Sequence, residues 1–501
     1  MKIHASLLVA LSLATSAGAF DLSSFERRVT TKVLDNGLTL VVCERHEAPV
    51  LSYMTIVDVG SAQEVAGITG LAHMFEHMAF KGTDAMGTTD HAAEKAALEQ
   101  VEQAYAAYDR ERRREAGRDE EKVKVLEKAW RDAIAAADRY VVRNQMPEIL
   151  EREGIVGLNA GTSADQTTYH YSLPSNRLEL MAAVESERFL NPVMREFYKE
   201  RDVVREERRT SRESRPVGRL FEQFQSTAFV AHPYGQSNIG WPSDLQSFSA
   251  TDARAFYEKY YVPANMVVAV VGDVRAAEAM PLLAAYFGRL PARPKPDPLR
   301  TVEPPQRAER QVIVRDTAQP YYIEGYHRPS MLDADDAVYD VIAALLSQGR
   351  TSRLYRSLVR DKGIAAGASG FTGYPGTKYP HLFAFTGVPT PGHTPAEVRD
   401  GIHAEIERVK NEDVPAAELD MVKTRERADL IRSLDSNPGL AERLAFAQLR
   451  YGDWREGFRY VDRIQKVTAA DVRRVAQSVF VPENRTSATL ENVKPAAGGA
   501  K

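Results

Sequence analysis

Two histidines four residues apart flank a glutamate in the run His73-Met-Phe-Glu76-His77. Side chains at that spacing share a helix face, so both imidazoles can reach one cation. Glu76 precedes His77 on the same helix, close enough to touch a water held by the metal without being a ligand. Zinc lowers the pKa of such a water towards ~7, and a carboxylate beside it can take the proton. A surface helix can carry this run by chance. Here, however, the imidazoles sit among Leu71, Met74, Phe75 and Met78, which recur at helical spacing, and buried imidazoles need partners. A second acidic helix follows downstream, Glu200-Arg-Asp-Val-Val-Arg-Glu206-Glu207. Glu200 and Glu207 are seven apart and share a face, so one of them can complete the three protein ligands of a catalytic zinc. The fourth position stays with water.

These residues need a scaffold, and the chain shows its parts. Val33 to Val42 reads as a hairpin around Asn36-Gly37, a dipeptide that suits a type I′ turn. A second strand is expected over Tyr53–Val59, and the helix bearing His73 begins after Gly67. Residues 91–150 read as an inserted helical hairpin. Leu98, Val101, Tyr105 and Tyr108 mark one stripe, and Val123, Leu126, Trp130, Ile134, Ala137 and Val141 the other. The charged segment between them, with Gly117 at its turn, suggests a solvated arm.

A repeat is also present. Ser249-Ala-Thr-Asp252-Ala-Arg254 leads to Val262-Pro263-Ala-Asn265, and Thr468-Ala-Ala-Asp471-Val-Arg473 leads to Val481-Pro482-Glu-Asn484. Aspartate, arginine, valine, proline and asparagine match in one register, each time as a capped helix entering a proline turn. Between the copies, residues 290–309 are rich in proline and read as a linker. Two similar α+β domains are therefore expected, over 20–289 and 310–490, with a tail over 491–501 expected to be flexible.

A chain of 501 residues is long enough for two such domains. Its formal net charge of −4 argues against a nucleic-acid binder that relies on positive charge. Residues 1–19 read as an export signal: Lys2 and His4, then an apolar run to Ala14, then Ala17-Gly18-Ala19. That run is too short to span a bilayer, and no other stretch is long and apolar enough to do so. Cys43, the single cysteine, cannot form an internal disulfide and is expected in the core.

The stretch Gly60-Ser61, Glu64, and Gly70-Leu-Ala-His73-Met-Phe-Glu76-His77-Met-Ala-Phe-Lys81-Gly-Thr83 resembles the core of the inverted-zincin M16 metallopeptidases. The resemblance runs through most of the mature chain. It implies two tandem M16-type domains, each an antiparallel-rich sheet packed with helices, with the helical insertion in the first. It implies that His73, His77 and Glu207 bind one Zn2+, that Glu76 is the general base, and that Glu200 supports the site. Glu206 is the local rival of Glu207, and the family's spacing selects Glu207. Asn159, Ala160 and Thr162 fall in a segment like the family's substrate-facing edge strand, which pairs with an extended peptide.

One departure stands out. Active two-domain members carry an arginine and a tyrosine in the later domain that hold substrate beside the metal. Here Val359 and Ala366 occupy those positions. The resemblance thus implies a zinc endopeptidase acting on peptides or unfolded segments, paired with a similar chain that supplies the arginine and tyrosine. A homodimer is the second choice. A non-catalytic scaffold and a peptide-binding subunit with structural zinc are the alternatives. The export signal points to the periplasm of a Gram-negative bacterium.

Overall fold

The computed structural model describes residues 22–493. The expected export signal at 1–19 lies outside them, as does the tail beyond Val493.

Among the described residues, eleven strands form two sheets. The first contains β1 (Val29–Val33), β2 (Thr39–Glu44), β3 (Val50–Val57), β4 (Val156–Thr162), β5 (Thr167–Pro174) and β6 (Met266–Gly272), in the order β1-β2-β6-β3-β5-β4. The second contains β7 (Arg310–Asp316), β8 (Tyr321–Arg328), β9 (Ala365–Tyr374), β10 (His381–Pro389) and β11 (Arg485–Asn492), in the order β7-β11-β8-β10-β9. Without β1 the two orders coincide. Each sheet has one parallel pair, β2 with β6 and β7 with β11, and every other pairing is antiparallel. The fold is thus mixed α and β, with two like units in tandem.

The repeat has a structural counterpart. Ser249 and Thr468 each close a capping box at the start of a helix, over Ala250–Tyr260 and Ala469–Val479. Each helix runs through a proline turn into a central strand, β6 or β11. The amide of Asn265 donates to the carbonyls of Asp58 and Tyr260, and that of Asn484 to those of His327 and Val479. In both copies the asparagine ties the end of its helix to the end of a neighbouring strand, which explains why the residue recurs.

β6 reads Met-Val-Val-Ala-Val-Val-Gly and is buried throughout, as a strand covered on both faces must be. One face belongs to the large first-half core with Leu71, Met74 and Phe75. The other face packs under helices from the second half, through Leu430, Leu434, Leu440 and Leu444. Cys43 lies in this shared core and is fully buried. The exchange is reciprocal. Helix Pro216–Ala228 of the first half lays Leu220, Phe224 and Ala228 on the second sheet, against Ile323, Leu382, Ala488 and Leu490.

Three expectations are corrected. The turn at Asn36-Gly37 is not type I′, because only Gly37 has positive φ (92°). Asn36 is spared that strain because its side chain is buried and bonded, donating to the carbonyls of Phe287 and Leu290 and accepting from the Leu38 amide. The chain turns over three residues, with Gly37 donating to Leu34 and Leu34 to Leu38. Second, the helical hairpin is not a free solvated arm. Its helices, His91–Arg112 and Glu120–Ala137, bury Val101, Tyr105 and Val123, and Tyr105 and Trp130 close around Tyr198 and Arg201. Third, the tail does not begin at 491. β11 continues to Asn492, and the Val493 amide donates to Asp316.

Candidate metal centre

Helix Leu71–Met78 starts at Gly70, whose φ of 94° and contact with the Ile239 carbonyl leave no room for a side chain. The buried Glu64 carboxylate caps this helix, accepting from the amides of Gly70 and Ala72 at 2.7 Å each. Leu71, Ala72, Met74, Phe75 and Met78 face the core, so His73, Glu76 and His77 face the other way, half-buried. They meet helix Phe197–Arg208. That helix buries Phe197, Tyr198, Arg201, Val204 and Arg208, and presents Glu200 and Glu207 on the opposite side.

His73, His77 and Glu207 come together, each offering one donor atom within 4.8 Å of the others. Glu207 Oε2 lies 3.7 Å from His73 Nε2 and 3.4 Å from His77 Nε2. Donors about 2.0–2.2 Å from a tetrahedral ion sit roughly 3.4 Å apart, which is close to both Glu207 distances. Glu206 points elsewhere: it is exposed and grips the Arg209 guanidinium through both oxygens. Cys43 lies in the core beneath the first sheet.

Electrostatics treat the two imidazoles differently. Burial, helped by the charge of His77, pushes His73 down to about 4, so its imidazole stays neutral and able to ligate. Burial alone would do the same to His77. Its hydrogen bond to Glu200, together with the carboxylates of Glu200, Glu207 and Glu76, reverses the direction and holds it above its ordinary value. The ring sits between two acids: Glu200 Oε1 is 2.9 Å from Nδ1, while Glu207 faces Nε2. A carboxylate on Nδ1 fixes which nitrogen is left for a metal.

Glu76 is not among the three donors. Burial raises its pKa, partly offset by hydrogen bonds from the hydroxyl and main chain of Thr162. Its Oε2 is buried and has no protein partner. Thr162 ends β4, the edge strand of the first sheet, and its carbonyl accepts from Asn238. Asn159 and Ala160 lie on the same strand, opposite His170 and Tyr169 of β5, and among the described residues the outer edge of β4 has no strand partner. The link from Thr162 to Glu76 was not visible in the sequence, because it depends on how a strand end meets a helix. In the second half, Val359 packs on the core and Ala366 is exposed at the start of β9.

Comparison with known proteins gives a consistent result. A model of the insulinase family, peptidase family M16, matches residues 40–112 and 136–240. A model described as the peptidase M16 inactive domain matches residues 247–426. The first leaves out residues 113–135, part of the 91–150 hairpin. Among individual proteins, the zinc protease PqqE of Helicobacter pylori is 27% identical over 492 residues, spanning 97% of each chain. A probable mitochondrial-processing peptidase subunit beta of Schizosaccharomyces pombe is 24% identical over 476 residues, spanning 90% of this chain and 89% of its own. The crystal structure of a protease from Helicobacter pylori superposes with a TM-score of 0.76 at 26% identity, covering 92% of this chain and 99% of that one. The periplasmic protease PqqL from Escherichia coli shares the fold with a TM-score of 0.69 at 20% identity, and this chain matches only 49% of its length.

Proposed function

The chain belongs to peptidase family M16, and from that membership and the site we propose that it is a zinc-dependent endopeptidase. The observation that carries this reading is the convergence of His73, His77 and Glu207, with Glu76 beside them but outside the ligand set. When bound, zinc supplies a Lewis acid that polarises the scissile carbonyl and acidifies a water. Glu76 takes the proton from the attacking water and returns it to the leaving amine. Its raised pKa suits this task, since a base poised nearer neutrality transfers a proton in both directions. Its Oε2, buried and without a protein partner, is left to the water.

The substrate is an extended peptide or an unfolded segment that adds to the open edge of β4 at Asn159 and Ala160. The Thr162 carbonyl, taken by Asn238, ends the pairing beside Glu76. Val359 and Ala366 supply neither a guanidinium nor a phenol from the second half. The active form is therefore a heterodimer with a similar chain that carries an arginine and a tyrosine. The PqqL chain, about twice as long, supports a pair of such units. The site of action is the periplasm, reached through the export signal.

The test is Glu76→Gln. The variant keeps zinc, measured by metal analysis, and loses cleavage of a fluorogenic peptide by ~10²-fold or more. Cleavage near the wild-type rate would remove Glu76 from the mechanism.

A further inference from the structure

Glu200 has two oxygens, and only one serves His77. The other, Oε2, lies 2.6 Å from the Lys81 ammonium. Lys81 lies three residues past Met78, the last residue of the helix, where its amide donates to the Met78 carbonyl. The ammonium also lies 3.7 Å from Glu196, which meets Arg143 and Lys199 at 3.4 Å each. Charges thus alternate from Arg143 through Glu196, Lys81 and Glu200 to His77. Glu196 opens the Glu207 helix with φ of 56°, a strained conformation for a non-glycine residue. Lys81 is held at its other end as well. Its carbonyl accepts from Arg195, whose fully buried guanidinium is paired with Glu94 of the helical hairpin.

We infer that Lys81 is a positioning residue for the metal centre, acting through Glu200 on His77. This rests on the zinc reading above. The His77 ring stands between two carboxylates, and its orientation matters only if they differ. Glu207 faces the two imidazoles. Glu200 is tied down by the ammonium, so its remaining oxygen has one stable place, on Nδ1. His77 then keeps Nε2 for zinc. Without Lys81, the half-buried Glu200 carboxylate loses its nearest cation and turns to find another donor.

The test is zinc affinity by chelator competition for the wild type, Lys81→Met, Lys81→Arg and Arg143→Met, with the melting temperature of each metal-free protein measured alongside. Lys81→Met is expected to weaken zinc binding ~10-fold, the lower end for groups that orient ligands. Lys81→Arg restores it to within a few-fold. Arg143→Met binds like wild type, because Arg143 is exposed and Glu196 keeps Lys81 and Lys199 as partners. The metal-free proteins melt alike; if Lys81→Met does not fold, Lys81→Gln takes its place. Equal affinity of wild type and the uncharged variant overturns the inference. So does an equal loss in Lys81→Arg, which would show that the positive charge is not what matters. A wild type that binds no zinc overturns the metal centre itself, a result distinct from the other two.

Discussion

Glu206 and Glu207 are neighbours in the chain and face different ways. Glu207 reaches the imidazoles, while Glu206 is exposed and paired with Arg209. Glu207→Gln should therefore lose tightly held zinc, and Glu206→Gln should keep it and lose under ~0.5 kcal/mol of stability, as surface changes do. Metal content after dialysis, with urea melts, decides between them, and zinc loss in the Glu206 variant alone would reverse the assignment. His73, Glu76 and His77 were legible because their geometry is local: a helix face follows from spacing alone. Glu200 and Glu207 were legible as a pair for the same reason, but choosing between them took the family's spacing, because register between two helices is a tertiary property. Lys81 stands four residues from His77, but the helix ends at Met78, so that spacing alone does not put its ammonium beside Glu200. The sequence marks Thr162 as a residue that faces substrate, whereas its influence on the Glu76 carboxyl has no sequence signature.

The repeated element makes its own prediction. Asn265 and Asn484 each join a helix end to a strand end through two hydrogen bonds, of 3.1 and 3.0 Å in one copy and 2.8 and 3.0 Å in the other. Alanine at either site strands two carbonyls, at a cost of ~1–3 kcal/mol when they are buried. Asn265 is 2% exposed and Asn484 is only half-buried, so Asn265→Ala should cost more. The sites lie in different halves with no shared partner, so the double variant should equal the sum within ~0.5 kcal/mol. Urea midpoints of the three variants measure this, and a larger Asn484 effect would contradict it. The helix, proline turn and asparagine were readable because capping and turn chemistry are local. The turn at Asn36-Gly37 was misread because a distant carbonyl pair, Phe287 and Leu290, captures the Asn36 side chain. The helical hairpin was misread as solvated because its charges are plain in sequence, whereas the cage around Arg201 draws on helices far apart in the chain.

At the scale of the molecule, the proline-rich stretch suggests a tether between independent bodies, yet the halves exchange helices across it. Two forces hold them together. One is polar: the buried Asp58 carboxylate, at the end of β3, takes Lys378 at 2.7 Å and Arg450 at 2.6 Å from the second half. The other is apolar: Leu430, Leu434, Leu440 and Leu444 cover the first sheet, while Leu220 and Phe224 cover the second. Fully burying a leucine or phenylalanine contributes ~1.5–3 kcal/mol, so these six side chains alone outweigh what one ion cluster can supply. Asp58→Ala removes the carboxylate from the Arg450 guanidinium, 4% exposed, and leaves it the Asp165 carbonyl and the Gln166 side chain, so it should cost up to ~3–5 kcal/mol. Because the apolar exchange dominates, the variant should still unfold in a single calorimetric transition, shifted to lower temperature. Two separated transitions would mean that Asp58, rather than the exchanged helices, makes the halves one body.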